Sequence, residues 1–257
     1  MTTATLHHVI DGPTHAPVLV LGPSLGTNLH LFDAQAAALS DQFRVVRFDL
    51  RGHGRSPVVV GPTTMADLTG DVLALLDQLG VGTFHYAGVS VGGAIGLELA
   101  LNASPRLSTL TVIASAAQFA DPPSWPVRAA KVRAEGTEFL IPSRTGAWFT
   151  QEFAAQHPDE AGRLLTMLRD TPPDGYAAAC DAIAVFDVRD RLHEITTPTL
   201  VIAGAEDPAT PLPMVRAIAD GIEGATFQSI PETSHLVSAE APDAVTDVIR
   251  GHLQAHS

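Results

Sequence analysis

Short apolar runs alternate with helical patterns along most of the chain, and this alternation limits the fold more than any other feature. Six runs with the composition of strands span residues 18–21, 43–48, 84–89, 110–113, 200–202 and 227–230, and a further strand region surrounds His7 and His8. Continuous apolar runs of this length are typical of strands buried on both faces of a parallel sheet. The pattern predicts an α/β fold in which a mostly parallel sheet is flanked by helices.

The segments between these runs carry the spacing of helices. An apolar stripe extends from Met65 to Leu79 at helical spacing, and Gly80 follows it as a stop signal. A second helix is expected to begin at Val91, and a last one after Pro242.

Residues 119–190 interrupt the alternation. They contain helical patterns at 127–134, 147–155, 161–168 and 176–186, both tryptophans of the chain, and no strand-like run. A connection of roughly seventy residues is much longer than a usual crossover between strands. We expect a helical lid over the carboxyl edge of the sheet, where open α/β sheets bind ligands. The alternative is a set of helices on the flank of the sheet. The predicted division is therefore a core of 1–118 and 191–257, with the lid at 119–190.

Composition and charge exclude several classes of protein. The chain has 257 residues, 46% of them hydrophobic, which suits one compact domain with or without an insertion. A single cysteine, Cys180, excludes an intrachain disulfide framework. The formal charge of -13 repels phosphate backbones, so nucleic-acid binding is not expected. No apolar run approaches the roughly 20 residues of a membrane span. The first basic residue is Arg44, so no signal peptide is expected and the predicted location is cytoplasmic.

The sequence Gly88-Val89-Ser90-Val91-Gly92 lies between a predicted strand and a predicted helix. In this G-x-S-x-G pattern the serine occupies a strained turn, and the glycines are required because side chains there collide with the strand or the helix. The turn exposes the hydroxyl above the sheet, beside a helix N-terminus that favours developing negative charge. Ser90 is therefore the candidate nucleophile, and the strand-to-helix context disfavours the alternative of an ordinary turn serine.

A nucleophilic serine needs a base to take its proton and a third group to orient that base. In enzymes with this elbow the order along the chain is serine, acid, histidine. Asp207 follows the strand run 200–202 and is the candidate acid, with Glu206 as the alternative and helix capping as the non-catalytic role of either. His235 follows the last strand run and is the candidate base, distinguished from the other histidines by its position.

Acyl transfer also needs two backbone N–H donors for the oxyanion. The predicted donors are Val91, which follows the nucleophile, and Leu25, in the loop after the run 18–21. Ser24 in the same loop is interpreted as a loop-stabilising hydroxyl. The segment Asp49–Ser56 also follows a strand run, and its glycines and arginines predict a structural turn, with a catalytic role as the alternative.

The sequence predicts neither a metal nor a cofactor. With one cysteine the chain has no C-x-x-C pair, and no glycine-rich phosphate-binding loop follows a strand run. Cys180 lies in an alanine-rich helical pattern and is interpreted as a small core residue.

The elbow, the acid and the histidine, in this order, resemble the α/β-hydrolase superfamily, and five further segments resemble its 3-oxoadipate enol-lactonases. Those segments are Ser24–Leu29, Asp49–Gly54, Ala147–Thr150, Tyr176–Cys180 and Asp187–Arg189. The resemblance covers nearly the whole chain and implies an α/β-hydrolase fold with a helical lid. Two regions depart from the family pattern. Pro23 replaces an asparagine of the oxyanion loop, and Val237 and Ser238 stand where many members carry an asparagine.

The lactone of this family is a small ring with a carboxymethyl arm, so the resemblance implies a cation in the lid. Residues 122–150 hold four basic and two acidic side chains. Arg128 and Arg133 are the predicted carboxylate ligands, because a guanidinium forms two hydrogen bonds to a carboxylate. Solvated charges on an exposed helix face are the alternative. Trp125 and Trp148 are expected either to line the pocket or to anchor the lid.

The resemblance implies a serine hydrolase that opens 3-oxoadipate enol-lactone in the β-ketoadipate pathway of aromatic catabolism. Ser90 would attack the lactone carbonyl, with His235 as the base and Asp207 orienting it. The alternatives on this scaffold are a carboxylesterase, a cofactor-free perhydrolase and a carbon–carbon bond hydrolase; a haloalkane dehalogenase needs a carboxylate at the elbow. A receptor that binds a small lactone and signals through its lid is the alternative outside enzymes. The expected partner is a small lactone or ester, and the oligomeric state stays open.

Overall fold

The computed structural model describes residues 3–256, in which seven strands form one sheet. The strands are β1 (His8–Asp11), β2 (Val18–Gly22), β3 (Arg44–Phe48), β4 (Phe84–Val89), β5 (Leu107–Ile113), β6 (Thr199–Gly204) and β7 (Thr226–Ile230). Their spatial order is β1-β3-β2-β4-β5-β6-β7. β1 is antiparallel to β3, and every other neighbouring pair is parallel. The predicted α/β fold with a mostly parallel sheet is confirmed.

Ten α-helices connect and cover the strands within the same residues. They are α1 (Asp33–Leu39), α2 (Met65–Gln78), α3 (Val91–Asn102), α4 (Ser124–Glu135), α5 (Gln151–Gln156), α6 (Pro158–Asp170), α7 (Pro173–Ala184), α8 (Leu212–Gly221), α9 (Val237–Glu240) and α10 (Pro242–Ala255). α2, α3 and α10 are the three helices predicted outside the lid. None of the helices in the described part of the chain is both long and apolar enough to cross a membrane.

The ends of α2 illustrate how local sequence sets a helix boundary. Thr64 Oγ1 accepts the Asp67 N–H at 3.2 Å, and the Asp67 carboxylate accepts the Thr64 N–H at 2.9 Å. This reciprocal pair satisfies two of the N–H groups that every helix start leaves unpaired. At the other end Gly80 adopts a φ of 66°, a conformation that glycine reaches without steric cost and that stops the helix.

The order of the strands creates a crevice at the carboxyl ends of β2 and β4. From β2 the chain crosses outward to β3 and then returns on the other side of β2 as β4. The loops after β2 and β4 therefore leave in opposite directions, and ligands of open α/β sheets bind at such a point. Because β5, β6 and β7 run parallel to β4, the loops that follow them lie at the same edge of the sheet.

The segment between β5 and β6 is helical, as expected, and contains α4 to α7. α4 packs against α7. Where this segment leaves and rejoins the sheet, the Val188 N–H donates to the Ala117 carbonyl at 2.9 Å. The division of the chain at 119 and 190 stays a prediction.

One helix in this segment is shorter than its pattern predicts. The pattern 147–155 corresponds to α5, which begins only at Gln151. The four residues before Thr150 form a turn instead, closed by a hydrogen bond from the Gly146 N–H to the Phe149 carbonyl at 2.7 Å. Gly146 adopts a φ of 87°, which ends any continuous helix at that point.

Candidate active site

Ser90 lies at the sharp turn between β4 and α3. Its φ of 56° is in the left-handed region, which a serine adopts only under strain. Neighbouring glycines make the turn possible. A Cβ on Gly88 would lie 2.4 Å from the Gly92 backbone, and one on Gly92 would lie 2.2 Å from the Gly22 carbonyl oxygen. The turn has the geometry of an elbow that presents a serine hydroxyl above the sheet.

Hydrogen bonds from the β5 side hold this elbow in place. The Ser90 N–H donates to the Ile113 carbonyl at 2.9 Å, and the Ser115 hydroxyl donates to the Ser90 carbonyl at 2.7 Å. Both bonds use backbone atoms of Ser90. They fix the strained residue without engaging its hydroxyl, which remains available for chemistry.

Asp207 and His235, from the loops after β6 and β7, form a buried hydrogen-bonded pair. His235 Nδ1 lies 2.8 Å from Asp207 Oδ2. Asp207 Oδ1 accepts the N–H groups of Ala209 and Thr210 at 2.7 and 3.1 Å, and Thr210 Oγ1 donates to Oδ2 at 2.6 Å. The carboxylate is thus fixed on both oxygens. It orients the imidazole and favours the tautomer whose proton is on Nδ1, which leaves Nε2 as the basic nitrogen.

The charge state of Asp207 follows from its surroundings. Burial alone would raise the pKa of Asp207, because a desolvated carboxylate is unfavourable. The adjacent His235 and the hydrogen bonds from His235 and Thr210 outweigh burial and lower the pKa of Asp207 below its ordinary value. Asp207 is therefore an ionised acceptor at neutral pH.

Ser90 and His235 line the same cavity, which has a volume of about 470 Å³. The loop after β2 contributes Ser24 and Leu25 to its wall, and the helical segment between β5 and β6 contributes its roof. Within residues 3–256 no hydrogen bond joins the Ser90 hydroxyl to the His235 ring. Catalytic hydrogen bonds are often long in unliganded enzymes and tighten when substrate binds. The arrangement is compatible with a nucleophile and its base.

Two backbone N–H groups beside Ser90 are suited to hold an oxyanion. Val91 is the first residue of α3, so its N–H has no carbonyl partner inside the helix. Leu25 lines the cavity, and its N–H has no hydrogen-bond partner among the described residues. These are the two donors that the sequence predicts for this role.

Two arginines of the roof face the cavity, and each lies over a tryptophan ring. Arg128 Cζ is 4.5 Å from the centre of the Trp125 ring, and Arg144 Cζ is 5.8 Å from that of Trp148. Arg144 Nε is buried without a hydrogen-bond partner in the described part of the chain. An unsatisfied buried donor costs about 1–3 kcal/mol, more if it is charged, until water or a ligand satisfies it. Burial lowers the pKa of Arg144; the Tyr176 phenol opposes this shift and the Arg128 charge adds to it.

Tyr176 completes this part of the cavity wall. Burial raises the pKa of Tyr176 to about 12, against the opposing charges of Arg128 and Arg144. The phenol is therefore protonated at neutral pH and can donate a hydrogen bond. Its ring lies close to the loop after β2: a Cβ added to Gly26 of that loop would lie 3.1 Å from a carbon of the Tyr176 ring.

The cavity walls carry a hydroxyl, an imidazole–carboxylate pair and cations, which suit nucleophilic attack on an anionic acyl compound. Residues 3–256 contain no group of three or more His, Cys, Asp or Glu side chains arranged to hold a metal ion. A family model described as the alpha/beta hydrolase fold matches residues 17–242. The chain belongs to this family.

Known members of the alpha/beta hydrolase family resemble the chain over nearly its whole length. The 3-oxoadipate enol-lactonase 1 of Acinetobacter baylyi is 38% identical over 251 residues, which cover 98% of this chain and 94% of the relative. The crystal structure of the enol-lactonase from Burkholderia xenovorans LB400 has a TM-score of 0.95 at 37% identity and covers 98% of this chain and 97% of that chain. A thermophilic esterase from Thermogutta terrifontis, solved with malate bound, has a TM-score of 0.93 at 30% identity and covers 99% and 95%.

Most of the residues predicted for the site lie at the cavity that Ser90 and His235 line. Six line it directly: Leu25, Ser90, Trp125, Arg128, Trp148 and His235. Asp207 and Val91 lie next to it, one hydrogen-bonded to His235 and the other following Ser90 in the chain.

Arg133 does not line this cavity, and its predicted contact with the substrate stays a prediction. Its Nη2 lies 2.5 Å from Asp181 Oδ2 on α7, and its side chain lines a separate cavity with residues 58–62. Positions 128 and 133 are five residues apart on α4, which separates them by about 140° around the helix. In the structure Arg128 faces the active-site cavity, whereas Arg133 pairs α4 with α7.

Three residues of the site were not singled out by the sequence. Thr210 follows Asp207 by three positions, a spacing at which a side chain or N–H group caps a carboxylate in a turn. The sequence gives Arg144 only as one of the four basic residues of 122–150. Tyr176 lies in a segment that resembles the enol-lactonases, but nothing in its spacing assigned it to the cavity.

Proposed function

We propose that this alpha/beta hydrolase is a serine hydrolase that opens 3-oxoadipate enol-lactone to 3-oxoadipate in the β-ketoadipate pathway. The observation that carries the proposal is that Ser90 and the His235–Asp207 pair meet at one cavity beneath two arginines. The enol-lactonases of Acinetobacter baylyi and Burkholderia xenovorans, at 38% and 37% identity, support this substrate. A small-molecule substrate and a cytoplasmic location are part of the proposal.

Acylation begins when Ser90 Oγ attacks the lactone carbonyl carbon and His235 Nε2 takes the hydroxyl proton. The N–H groups of Leu25 and Val91 stabilise the negative charge that develops on the carbonyl oxygen. Asp207 stabilises the imidazolium that forms. The ring C–O bond then breaks, the leaving enolate accepts the proton from His235, and the enol converts to the ketone of the acyl chain.

Deacylation uses the same groups in reverse order. His235 takes a proton from water, and the hydroxide attacks the Ser90 ester. The same two N–H groups stabilise the second oxyanion, and the Ser90–acyl bond breaks as His235 returns the proton to Ser90 Oγ. One water is consumed per lactone, and 3-oxoadipate leaves with one new carboxylate.

Arg144 and Arg128 are the proposed ligands of the carboxylate on the substrate's side arm. Arg144 Nε is a buried donor that still lacks a partner, and the Arg128 guanidinium is positioned over Trp125 at the same cavity. A guanidinium binds a carboxylate through two hydrogen bonds, so the pair favours anionic substrates over neutral esters. Residues 119–190 are the proposed lid that holds these cations over Ser90.

Replacement of the nucleophile tests the reaction. Ser90→Ala is expected to lower kcat on the enol-lactone by about a millionfold, with an unchanged circular dichroism spectrum. Mass spectrometry of the wild-type protein after treatment with a fluorophosphonate should find the label on Ser90. Ser104→Ala, at an exposed serine between α3 and β5, is the matched control and should keep full activity. Turnover retained in Ser90→Ala contradicts the proposal.

A simple carboxylesterase is the second candidate, favoured by the likeness to the Thermogutta terrifontis esterase. Both functions use the same acyl-enzyme, so the substrate comparison decides between them. The lactonase proposal expects kcat/KM to be higher for 3-oxoadipate enol-lactone than for p-nitrophenyl acetate. A higher value for the neutral ester supports the esterase instead.

A further inference from the structure

The loop that carries His235 is joined to the roof of the cavity on both sides of the histidine. The Ser234 hydroxyl donates to the Ala147 carbonyl at 2.9 Å, and the Leu236 N–H donates to the Trp148 carbonyl at 2.7 Å. His235 lies between these two bonds in the chain. The backbone that positions the imidazole and the backbone that positions the Trp148 wall are therefore attached to each other.

Glu240 makes the third and fourth bonds of this junction. One carboxylate oxygen accepts the Thr150 N–H at 2.7 Å, and the other accepts the Ser234 N–H. Thr150 belongs to the roof and Ser234 to the histidine loop, so a single side chain bridges the two. Bonds to an ionised acceptor are shorter and roughly twice as strong as neutral ones.

Glu240 is half-buried in α9, and no arginine or lysine of residues 3–256 forms an ion pair with it. Burial raises the pKa of Glu240, and the Thr150 and Ser234 N–H groups oppose that shift. A desolvated carboxylate without a countercharge is costly unless its hydrogen bonds compensate. The two backbone donors that compensate here are those that link the roof to the histidine loop.

We propose that Glu240 is a positioning residue that sets His235 relative to Ser90 and fixes the Trp148 wall of the cavity as part of the same unit. The proposal rests on the proposed role of His235 as the base. Glu240 does not touch the substrate; it acts through the backbone of its two partners. A displacement of about 1 Å at a catalytic group lowers the rate by as much as about 100-fold, so a loose junction is visible in turnover.

Two substitutions of Glu240 test this role. Glu240→Ala removes both acceptors and is expected to lower kcat per active site by about 10- to 100-fold on p-nitrophenyl acetate and on the enol-lactone. KM for the lactone should also rise, because the Trp148 wall of the cavity loosens with the junction. Glu240→Gln keeps one carbonyl acceptor and should restore part of kcat. Glu152→Gln, at an exposed glutamate of α5, is the matched control and should behave as wild type.

Active sites are counted by fluorophosphonate titration, so that misfolded protein does not enter kcat. A purely structural role lowers the melting temperature and the titrated fraction but leaves kcat per titrated site within about twofold of wild type, and that result overturns the proposal. The neutral ester separates the two proposals. If it is hydrolysed and the lactone is not, the substrate is wrong, while the effect of Glu240→Ala on the ester still decides the role of Glu240.

A second variant and a spectroscopic signal cover the case in which Glu240→Ala fails to fold. Ser234→Ala removes the hydroxyl bonds to the Ala147 and Gly146 carbonyls, leaves both Glu240 bonds in place, and should lower kcat by a smaller factor. The proton in the His235–Asp207 hydrogen bond gives a far-downfield signal in proton NMR. We expect this signal to broaden through faster exchange in Glu240→Gln and Ser234→Ala. Signals and kcat values identical to wild type in both variants contradict the proposal.

Discussion

The Asp207 carboxylate accepts four hydrogen bonds, and these bonds are what allow one residue to hold the His235 ring in place. Three come from its own turn, from Ala209 and Thr210, and one from His235. The turn holds the carboxylate without the imidazole, so the imidazole alone adjusts to it. Orientation therefore passes from the loop after β6 to the ring of His235.

Asp207→Asn tests this chain of contacts. An amide in this position presents a donor or a neutral acceptor to His235 Nδ1, which favours the wrong tautomer and removes the charge that stabilises the imidazolium. The expected loss in kcat is about 10⁴-fold, with the fold intact. Steady-state kinetics and circular dichroism measure both. Glu206→Gln is the control, because Glu206 is exposed and Asp207, not Glu206, bonds to His235. If Glu206→Gln lost as much activity as Asp207→Asn, the choice of Asp207 as the acid would be wrong.

The arginines of the roof make a second prediction at this scale. Arg144→Gln removes a buried cation from the cavity and should raise KM for the anionic lactone by about 10- to 100-fold, since a charged hydrogen bond contributes about 1.5–3 kcal/mol. KM for neutral p-nitrophenyl acetate should change little. Arg133→Gln is the matched control from the same lid, because Arg133 pairs with Asp181 outside the cavity. Equal KM changes in the two variants would contradict the assignment.

The sequence predicts the residues that follow strands better than those that lie on lid helices. Ser90, Asp207 and His235 each follow a run with the composition of a strand, and parallel strands bring their carboxyl ends to one edge of the sheet. No comparable rule tells from the sequence which side of α4 faces the cavity. Only Ala129 and Val132 of α4 are buried, so the choice between Arg128 and Arg133 depends on the rotation of the helix, which its packing against α7 sets.

At the scale of elements, the elbow joins β4 and α3 by a close approach between backbones. Gly88 and Gly92 allow α3 to begin directly above β4, and Gly92 also contacts the Gly22 carbonyl at the end of β2. β4, α3 and the loop after β2 therefore approach one another so closely that a single added methyl group does not fit between them. The pattern G-x-S-x-G contains this information, which is why the elbow could be predicted with its flanking elements.

Gly92→Ala is therefore expected to destabilise the protein by about 3 kcal/mol and to lower kcat, because the new methyl group pushes on the backbone of the loop that carries Leu25. Gly162→Ala is the matched control. Gly162 lies in α6 with nothing within 4 Å of an added Cβ, so alanine there should stabilise by about 0.5–1 kcal/mol. Urea unfolding followed by fluorescence measures both. A neutral effect of Gly92→Ala would contradict the close approach.

The turn before α5 could not be predicted from periodicity. The apolar residues of 147–155 repeat at helical spacing, but a turn closed by Gly146 and Phe149 occupies the first part of that range, and Thr150 caps a helix that begins only at Gln151. The Ala147 carbonyl of this turn accepts from Ser234 in the histidine loop, and the Thr150 N–H after it donates to Glu240 in α9; both partners lie more than 80 residues away in the sequence. Tertiary hydrogen bonds outweigh the local pattern where the helical segment between β5 and β6 meets the loop that carries His235.

At the scale of the whole molecule, two electric fields act on an anionic substrate in opposite directions. The chain carries a formal charge of -13, whereas the cavity contains Arg128 and Arg144. A chain of this length has a radius of gyration of about 18 Å. The acidic side chains that give the net charge therefore repel the substrate over distances of about 18 Å. The two arginines act within a few ångströms of the substrate carboxylate.

Ionic strength separates the two fields. The Debye length falls from about 30 Å at 0.01 M to about 8 Å at 0.15 M, so salt screens the distant repulsion almost completely and the buried cations much less. We expect kcat/KM for the enol-lactone to rise by about two- to fivefold over this range. Neutral p-nitrophenyl acetate should show no such dependence, because neither field acts on its net charge. A fall in kcat/KM with salt would contradict this prediction. It would mean that attraction by the cavity arginines outweighs repulsion by the net charge while the substrate is still approaching from solution.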